Sequence, residues 1–101
     1  WQGRILLLES SEEQMAPAKY KKALEYLKDA GVFAAVSGVL VGRPMDGVWQ
    51  AEYEQLLRQV IDDPALPVVC GLNAGHALPR CIVPLGVPAR VDVQAQKIEF
   101  L

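Results

Sequence analysis

Short apolar runs alternate with amphipathic stretches along the first two thirds of the chain. The runs at 4–8 (RILLL), 38–41 (GVLV) and 67–70 (PVVC) are continuous, a pattern typical of strands covered on both faces of a parallel sheet. Between them, the stretches 17–30 and 48–61 carry apolar residues at helical spacing. Pro17 suits the first position of the earlier helix and Gly31 its end. The pattern therefore predicts strand, helix, strand, helix, strand.

Two segments extend this pattern. Residues 32–36 (VFAAV) continue the apolar character after Gly31, and we expect them to run into the second strand. After the third strand come three short segments at 81–83, 89–93 and 97–101, of which the last two alternate apolar and polar residues as a half-exposed hairpin does. Strands that alternate with helices imply a parallel sheet with right-handed crossovers. The predicted fold is α/β, a parallel βαβαβ core with short antiparallel strands at the C-terminus.

Composition narrows the class of protein. At 101 residues the chain is long enough for one domain, 1–101, with its own core. A net charge of −2 without a basic stripe argues against a nucleic-acid partner. We find no apolar run long enough to cross a membrane and no signal peptide. Because the chain starts almost directly on a strand, without an initiator methionine, we expect a domain of a longer protein.

The candidate chemistry lies where the predicted strands end. Glu9, Arg43 and His76 all fall at or just after the carboxyl end of a strand or in the loop that follows it, and ligands of parallel sheets collect at that edge. His76 is the single histidine, and its unperturbed pKa near neutrality suits proton transfer. A carboxylate that accepts its Nδ1–H would fix the tautomer, which makes Glu9 and His76 a candidate orienter and base. The pair can meet only if their strands are adjacent or nearly so.

A nucleophile for this pair is missing from the sequence. None of the serines, Ser10, Ser11 and Ser37, lies in a G-x-S-x-G elbow. Cys70 ends a buried strand, and Cys70 and Cys81 fit reduced core residues of a cytosolic protein better than a disulfide. The sequence contains no His/Cys cluster for a metal and no phosphate-binding glycine loop, so we expect no metal and no cofactor.

Three stretches, in order, carry a resemblance to a known family. GRILLLES, AGVFAAVSGVLVGR and LPVVCGLNAGHALPRCIVPLGVPARVD resemble the C-terminal domain of the LD-carboxypeptidase family. This family of serine peptidases includes the murein tetrapeptide carboxypeptidases and the microcin C resistance peptidases. The resemblance covers residues 3–101. Its most specific parts are the strand ending in glutamate, the strand ending in GR, and the GH followed by PLG.

The resemblance implies a Ser-Glu-His triad in which Glu9 and His76 are catalytic and the serine belongs to an N-terminal domain outside this chain. It also implies a swivelling β/β/α fold, a cytoplasmic location and a homodimer for the full-length enzyme. The implied reaction is release of the terminal D-alanine from a murein tetrapeptide in peptidoglycan recycling. Asn73 and Ala74 receive no role from the resemblance.

Two alternatives remain open from the sequence. The parent enzyme could belong to the microcin branch and cleave an acyl-amide conjugate of a nucleotide. The chain could instead be a non-catalytic α/β binding domain, in which Glu9 and His76 are structural. The murein hypothesis is preferred here because it is the commoner role in the family.

Overall fold

The computed structural model describes residues 1–9, 15–73 and 83–101. The strands are β1 (Ile5–Leu8), β2 (Gly38–Gly42), β3 (Val68–Leu72), β4 (Ala89–Asp92) and β5 (Lys97–Phe100). The helices are α1 (Pro17–Asp29), α2 (Val32–Ala35) and α3 (Gln50–Ile61), with a 3-10 turn at Met45–Gly47. His76, Ser10, Ser11, Cys81 and most of the predicted strand at 81–83 lie outside the described residues.

The parallel sheet has the order β1-β2-β3, with β2 in the centre. The connections from β1 to β2 and from β2 to β3 both move to the next strand in the same direction across the sheet. Because such connections are right-handed, α1 and α3 lie on the same face of the sheet. Their contact is seen directly in the rings of Tyr20 and Tyr53, which stack with centroids 4.0 Å apart and planes inclined by 21°. A second sheet pairs β4 and β5 antiparallel. The predicted fold class, a parallel α/β core with short antiparallel strands, is confirmed.

The hydrophobic core lies between the sheet and the helices. Every residue of β2 is buried, and Val39 is fully buried. Because strand side chains alternate between faces, Val39 and Val41 share the helix-facing side, where they belong to one cluster with Leu24 of α1 and Leu57 of α3. Leu6 and Leu8 of β1 and Val68 and Cys70 of β3 pack against this cluster from the sides.

The prediction for 32–36 is wrong in its secondary structure. Residues Val32–Ala35 form one turn of helix, α2, closed by a hydrogen bond from Val36 N to Val32 O of 3.1 Å. Gly31 ends α1 in the left-handed region, with φ 82°, and the chain then re-enters a helix. Val32 and Phe33 are buried in the core. An apolar run this short has no periodicity that separates strand from buried helix.

The remaining bounds shift slightly. α3 begins at Gln50 instead of 48, because Trp49 adopts a left-handed conformation with φ 65° that cannot continue a helix. β3 runs on to Leu72.

None of the helices in the described ranges has the length and apolar character to cross a lipid bilayer.

Candidate functional site

The carboxyl edge of the parallel sheet brings three chain segments together. Glu9 follows β1, Arg43 follows β2 and Asn73 follows β3. The register aligns Leu8 with Val41 and Gly42 with Leu72, so the strands end at nearly the same level. The backbone N–H of Arg43 donates to the carbonyl of Leu72 at 2.9 Å, which joins β2 and β3 at the edge itself. The structure therefore places Glu9 and Arg43 at one edge.

Glu9 and the segment that contains His76 leave from strands on opposite sides of β2. With neighbouring strands about 4.8 Å apart, the ends of β1 and β3 are separated by roughly 10 Å. Glu9 is exposed to solvent beyond the end of β1. His76 comes four residues after the last residue of β3 and lies outside the described residues. The contact between Glu9 and His76 therefore stays a prediction.

Ser37 lies at the wrong end of the sheet to attack a substrate beside Glu9. Its backbone N–H donates to the carbonyl of Arg4 at 2.7 Å, before β1 begins, and it directly precedes β2. A strand of five residues spans about 16 Å at about 3.3 Å per residue. Ser37 is thereby excluded as the nucleophile of a site at the carboxyl edge.

Cys70 is also unsuited to that role. It lies within β3, half-buried against the core. Burial raises the pKa of the Cys70 thiol, and the negative charge of Glu54 raises it further, while Arg58 acts in the opposite direction. A thiol that stays protonated at neutral pH is a poor nucleophile. The part of the chain that the structure describes thus supplies no nucleophile at this edge.

A pair of tyrosines lies beneath the site and was not found from the sequence. The hydroxyl of Tyr53 on α3 donates to the carbonyl of Met15, the residue at which the described chain resumes after Glu9. Burial, followed by the nearby Cys70 and Tyr53, raises the pKa of Tyr20 to about 12. Burial also raises the pKa of Tyr53. A buried tyrosine usually needs a partner for its hydroxyl, which is the one signal that could have suggested this bond.

The loop after β2 has an unusual backbone. Asp46, Gly47 and Trp49 have φ of 56°, 69° and 65°. Left-handed conformations are costly for residues other than glycine and are found preferentially at functional sites. Trp49 is also 40% exposed. The loop thus presents an aromatic side chain close to the carboxyl edge.

A groove among the described residues lies mostly away from this edge. It has a volume of about 510 Å³ and runs between α3 and the outer side of β3, from Asp62 and Asp63 to Cys70. Its lining residues come mainly from the end of α3 and the start of β3, at the amino end of the strands.

Among the residues with described positions, no group of three or more histidines, cysteines or carboxylates could hold a metal ion.

The comparisons with known proteins agree with this architecture. The family model for the LD-carboxypeptidase C-terminal domain matches residues 1–91. The chain belongs to this family. The microcin C7 self-immunity protein MccF of Escherichia coli is 30% identical over 102 aligned residues, which cover 97% of the chain and 29% of MccF.

A solved structure gives a closer comparison. The chain is 52% identical to an MccF-like protein from Streptococcus pneumoniae, solved in complex with AMP, with a TM-score of 0.92. The match covers 99% of this chain and 29% of that one. The chain thus spans less than a third of the length of these relatives. It matches the C-terminal domain of a family of peptidases.

Proposed function

We propose that the chain is the C-terminal part of a serine-type peptidase, in which Glu9 and His76 complete a triad with a serine from another domain of the same protein. Family membership supports this proposal. It is also supported by the position of Glu9 at the carboxyl edge and by the exclusion of Ser37 and Cys70 as nucleophiles there.

The chemistry assigned to this chain is proton transfer. His76 takes the proton of the attacking serine on Nε2, while the carboxylate of Glu9 accepts the Nδ1–H and stabilises the imidazolium. The serine oxygen bonds to the amide carbon, and His76 then gives its proton to the leaving amine as the C–N bond breaks. A water molecule, deprotonated by His76, hydrolyses the resulting acyl-enzyme.

For the substrate, an acyl-amide conjugate of a nucleotide is the first candidate. The observation that carries it is the 52% identity to an MccF-like protein that binds AMP. A murein tetrapeptide losing its terminal D-alanine is the second candidate, supported by the family description. A cytoplasmic location and a homodimer belong to both versions of this proposal, and a role in peptidoglycan recycling belongs to the second.

The test uses the full-length protein with both substrates. Glu9→Gln keeps the shape of the side chain but allows the wrong histidine tautomer, so turnover should fall on the order of 10⁴-fold. His76→Ala should fall at least as far, and the double variant little further, because members of a triad act together. Glu52→Gln, an exposed carboxylate on α3, is the matched control.

The outcomes separate the candidates. Turnover of the nucleotide conjugate but not of the tetrapeptide selects the first substrate, and the reverse selects the second. Near-full turnover by Glu9→Gln, or losses that multiply in the double variant, would contradict the triad. Binding of either compound without turnover by the wild-type protein would favour the non-catalytic binding domain.

A further inference from the structure

The groove between α3 and the outer side of β3, which we refer to as the α3–β3 groove, exists because the helices cover the sheet unevenly. β3 lies at the edge of the parallel sheet that the structure describes. Its residues Val68 and Cys70 pack beside the core cluster, yet both are only half-buried. Val39 on the central strand is fully buried. The helix layer therefore covers β2 and leaves part of β3 open along a groove of about 510 Å³.

One face of α3 forms a wall of this groove. The helix residues that line it recur at intervals of three and four, as residues on one face do: Glu54, Leu57, Arg58, Ile61 and Asp62. Leu57 and Ile61 are buried, whereas Glu54 is half-buried and Arg58 is exposed. Leu66 and Val68 continue the apolar lining on the opposite side. The groove thus has an apolar floor below a wall that carries charge.

A carboxylate and a guanidinium lie one helical turn apart on that wall. Glu54 and Arg58 are four residues apart, so their Cβ atoms are about 5–6 Å apart. Glu54 raises the pKa of the Cys70 thiol and Arg58 lowers it, which indicates that both charges lie near the same point of β3. The side-chain amide of Gln50 donates to Glu54 at 3.5 Å. Within the described chain, Glu54 and Arg58 are not paired with each other, and each can take a counter-charge from a ligand.

These features fit a small zwitterion that has an apolar side chain. A carboxylate binds an ammonium group, and a guanidinium binds a carboxylate through two parallel hydrogen bonds. Pockets for small molecules have volumes of about 300–1,000 Å³, with mainly apolar walls and a few polar groups. We propose that the α3–β3 groove binds a free amino acid with an apolar side chain, its ammonium group on Glu54 and its carboxylate on Arg58.

The other charges of the groove argue against a simple anion. Asp62 and Asp63 line the end of the groove, so three carboxylates face one guanidinium. A ligand without a positive charge would meet net repulsion there, which leaves a simple cation as the competitor to the zwitterion. The groove lies mostly away from the carboxyl edge, so its ligand does not depend on the proposed triad or on the substrate.

Calorimetric titration of the full-length protein with three matched probes distinguishes these ligands. L-Leucine carries both charges, 3-methylbutylamine carries the ammonium group alone, and 4-methylpentanoate carries the carboxylate alone, on nearly the same hydrocarbon. Leucine should bind roughly tenfold more tightly than 3-methylbutylamine, because the amine gives up the charge-assisted hydrogen bonds to Arg58. The anion should bind most weakly. Equal affinities for leucine and the amine overturn the proposal, as does a failure of leucine to bind.

Two variants then locate the bound leucine. Arg58→Gln should lower the affinity for leucine to that for 3-methylbutylamine and should not weaken binding of the amine itself. Glu54→Gln should lower the affinity for leucine to that for 4-methylpentanoate. Glu52→Gln changes an exposed carboxylate on α3 outside the groove lining and should leave all three affinities unchanged. Leucine binding that neither groove variant weakens would place the ligand elsewhere in the protein and overturn the proposal.

Discussion

The stacked pair Tyr20 and Tyr53 makes the folded state sensitive to alkaline pH. Burial raises the pKa of Tyr20 to about 12 in the folded protein, against an ordinary pKa of about 10 in the unfolded chain. Its contribution to stability is therefore complete below pH 10 and is lost as the pH rises from 10 to 12, amounting to at most about 2–3 kcal/mol. The raised pKa of Tyr53 acts in the same direction.

This prediction is measured as the free energy of unfolding in denaturant at pH 8 and at pH 11.5. Tyr20→Phe should reduce the loss of stability between the two pH values, because phenylalanine has no proton to lose. Tyr26→Phe, on the exposed side of the same helix, serves as the control. If Tyr20→Phe and wild type lose the same stability, Tyr20 is not the group responsible.

A second prediction at this scale concerns Cys70. Cys70→Ala removes a half-buried thiol that packs beside the core and should cost about 1 kcal/mol of stability. Turnover of the full-length enzyme should be unchanged, because a thiol whose pKa is raised by burial takes no part in the proposed reaction. Thermal unfolding and turnover are measured on the same sample. Loss of turnover in a folded variant would make Cys70 the nucleophile.

How far single residues could be predicted depends on how local their environment is. Glu9 and Arg43 were assigned to the carboxyl edge correctly, since each directly follows an apolar run whose direction the alternation of strands and helices defines. The bond between Tyr53 and Met15 joins residues 38 positions apart. The sequence near either residue does not identify the partner, because the bond depends on how the chain before α1 packs against α3.

At the scale of elements, Gly31 determines where α1 ends. Its φ of 82° is open to glycine, and no atom lies within 4 Å of the position a Cβ would occupy. Gly31→Ala should therefore cost only the backbone strain of a left-handed alanine, about 1–2 kcal/mol. Gly31→Asn should cost less, because asparagine tolerates this conformation better. Urea unfolding of both variants is the measurement, and an alanine variant as stable as wild type would contradict it.

The same glycine explains which elements the sequence predicts well. α1 carries its own start and end signals, Pro17 and Gly31, and a long amphipathic repeat, so its bounds were nearly correct. The segment after Gly31 is expected from the sequence to run into the second strand, whereas it forms α2. Four apolar residues, Val32–Ala35, fit a buried strand and a buried helical turn equally well. Only packing of Val32 and Phe33 into the core decides between them.

At the scale of the molecule, the strand order determines which side chains at the carboxyl edge lie close enough to act together. No local sequence pattern predicts that order. The order β1-β2-β3 puts one strand between Glu9 and the segment that leads to His76. It also puts both helices on one face. The parallel core and the terminal hairpin followed from the order of elements along the chain. The positions of the strand ends relative to one another required the structure.

The last prediction follows from the proposed division of the triad between two domains. The 101-residue chain should hydrolyse neither the nucleotide conjugate nor the murein tetrapeptide, whereas the full-length protein should hydrolyse one of them. Ser37 is about 16 Å from the carboxyl edge, and the thiol of Cys70 is protonated by virtue of its burial. The residues that the structure describes therefore offer no nucleophile at that edge for the base of the proposed triad.

Turnover by the purified chain is compared with that of its Glu9→Ala variant, which reports any contaminating peptidase. Equal and negligible rates are expected. If wild type exceeds Glu9→Ala, the variants Ser10→Ala and Ser11→Ala identify the source, since both serines directly follow Glu9. Turnover that depends on Glu9 and on one of these serines would place the whole triad within this chain. The proposed division between an N-terminal serine and a C-terminal Glu–His pair would then be wrong.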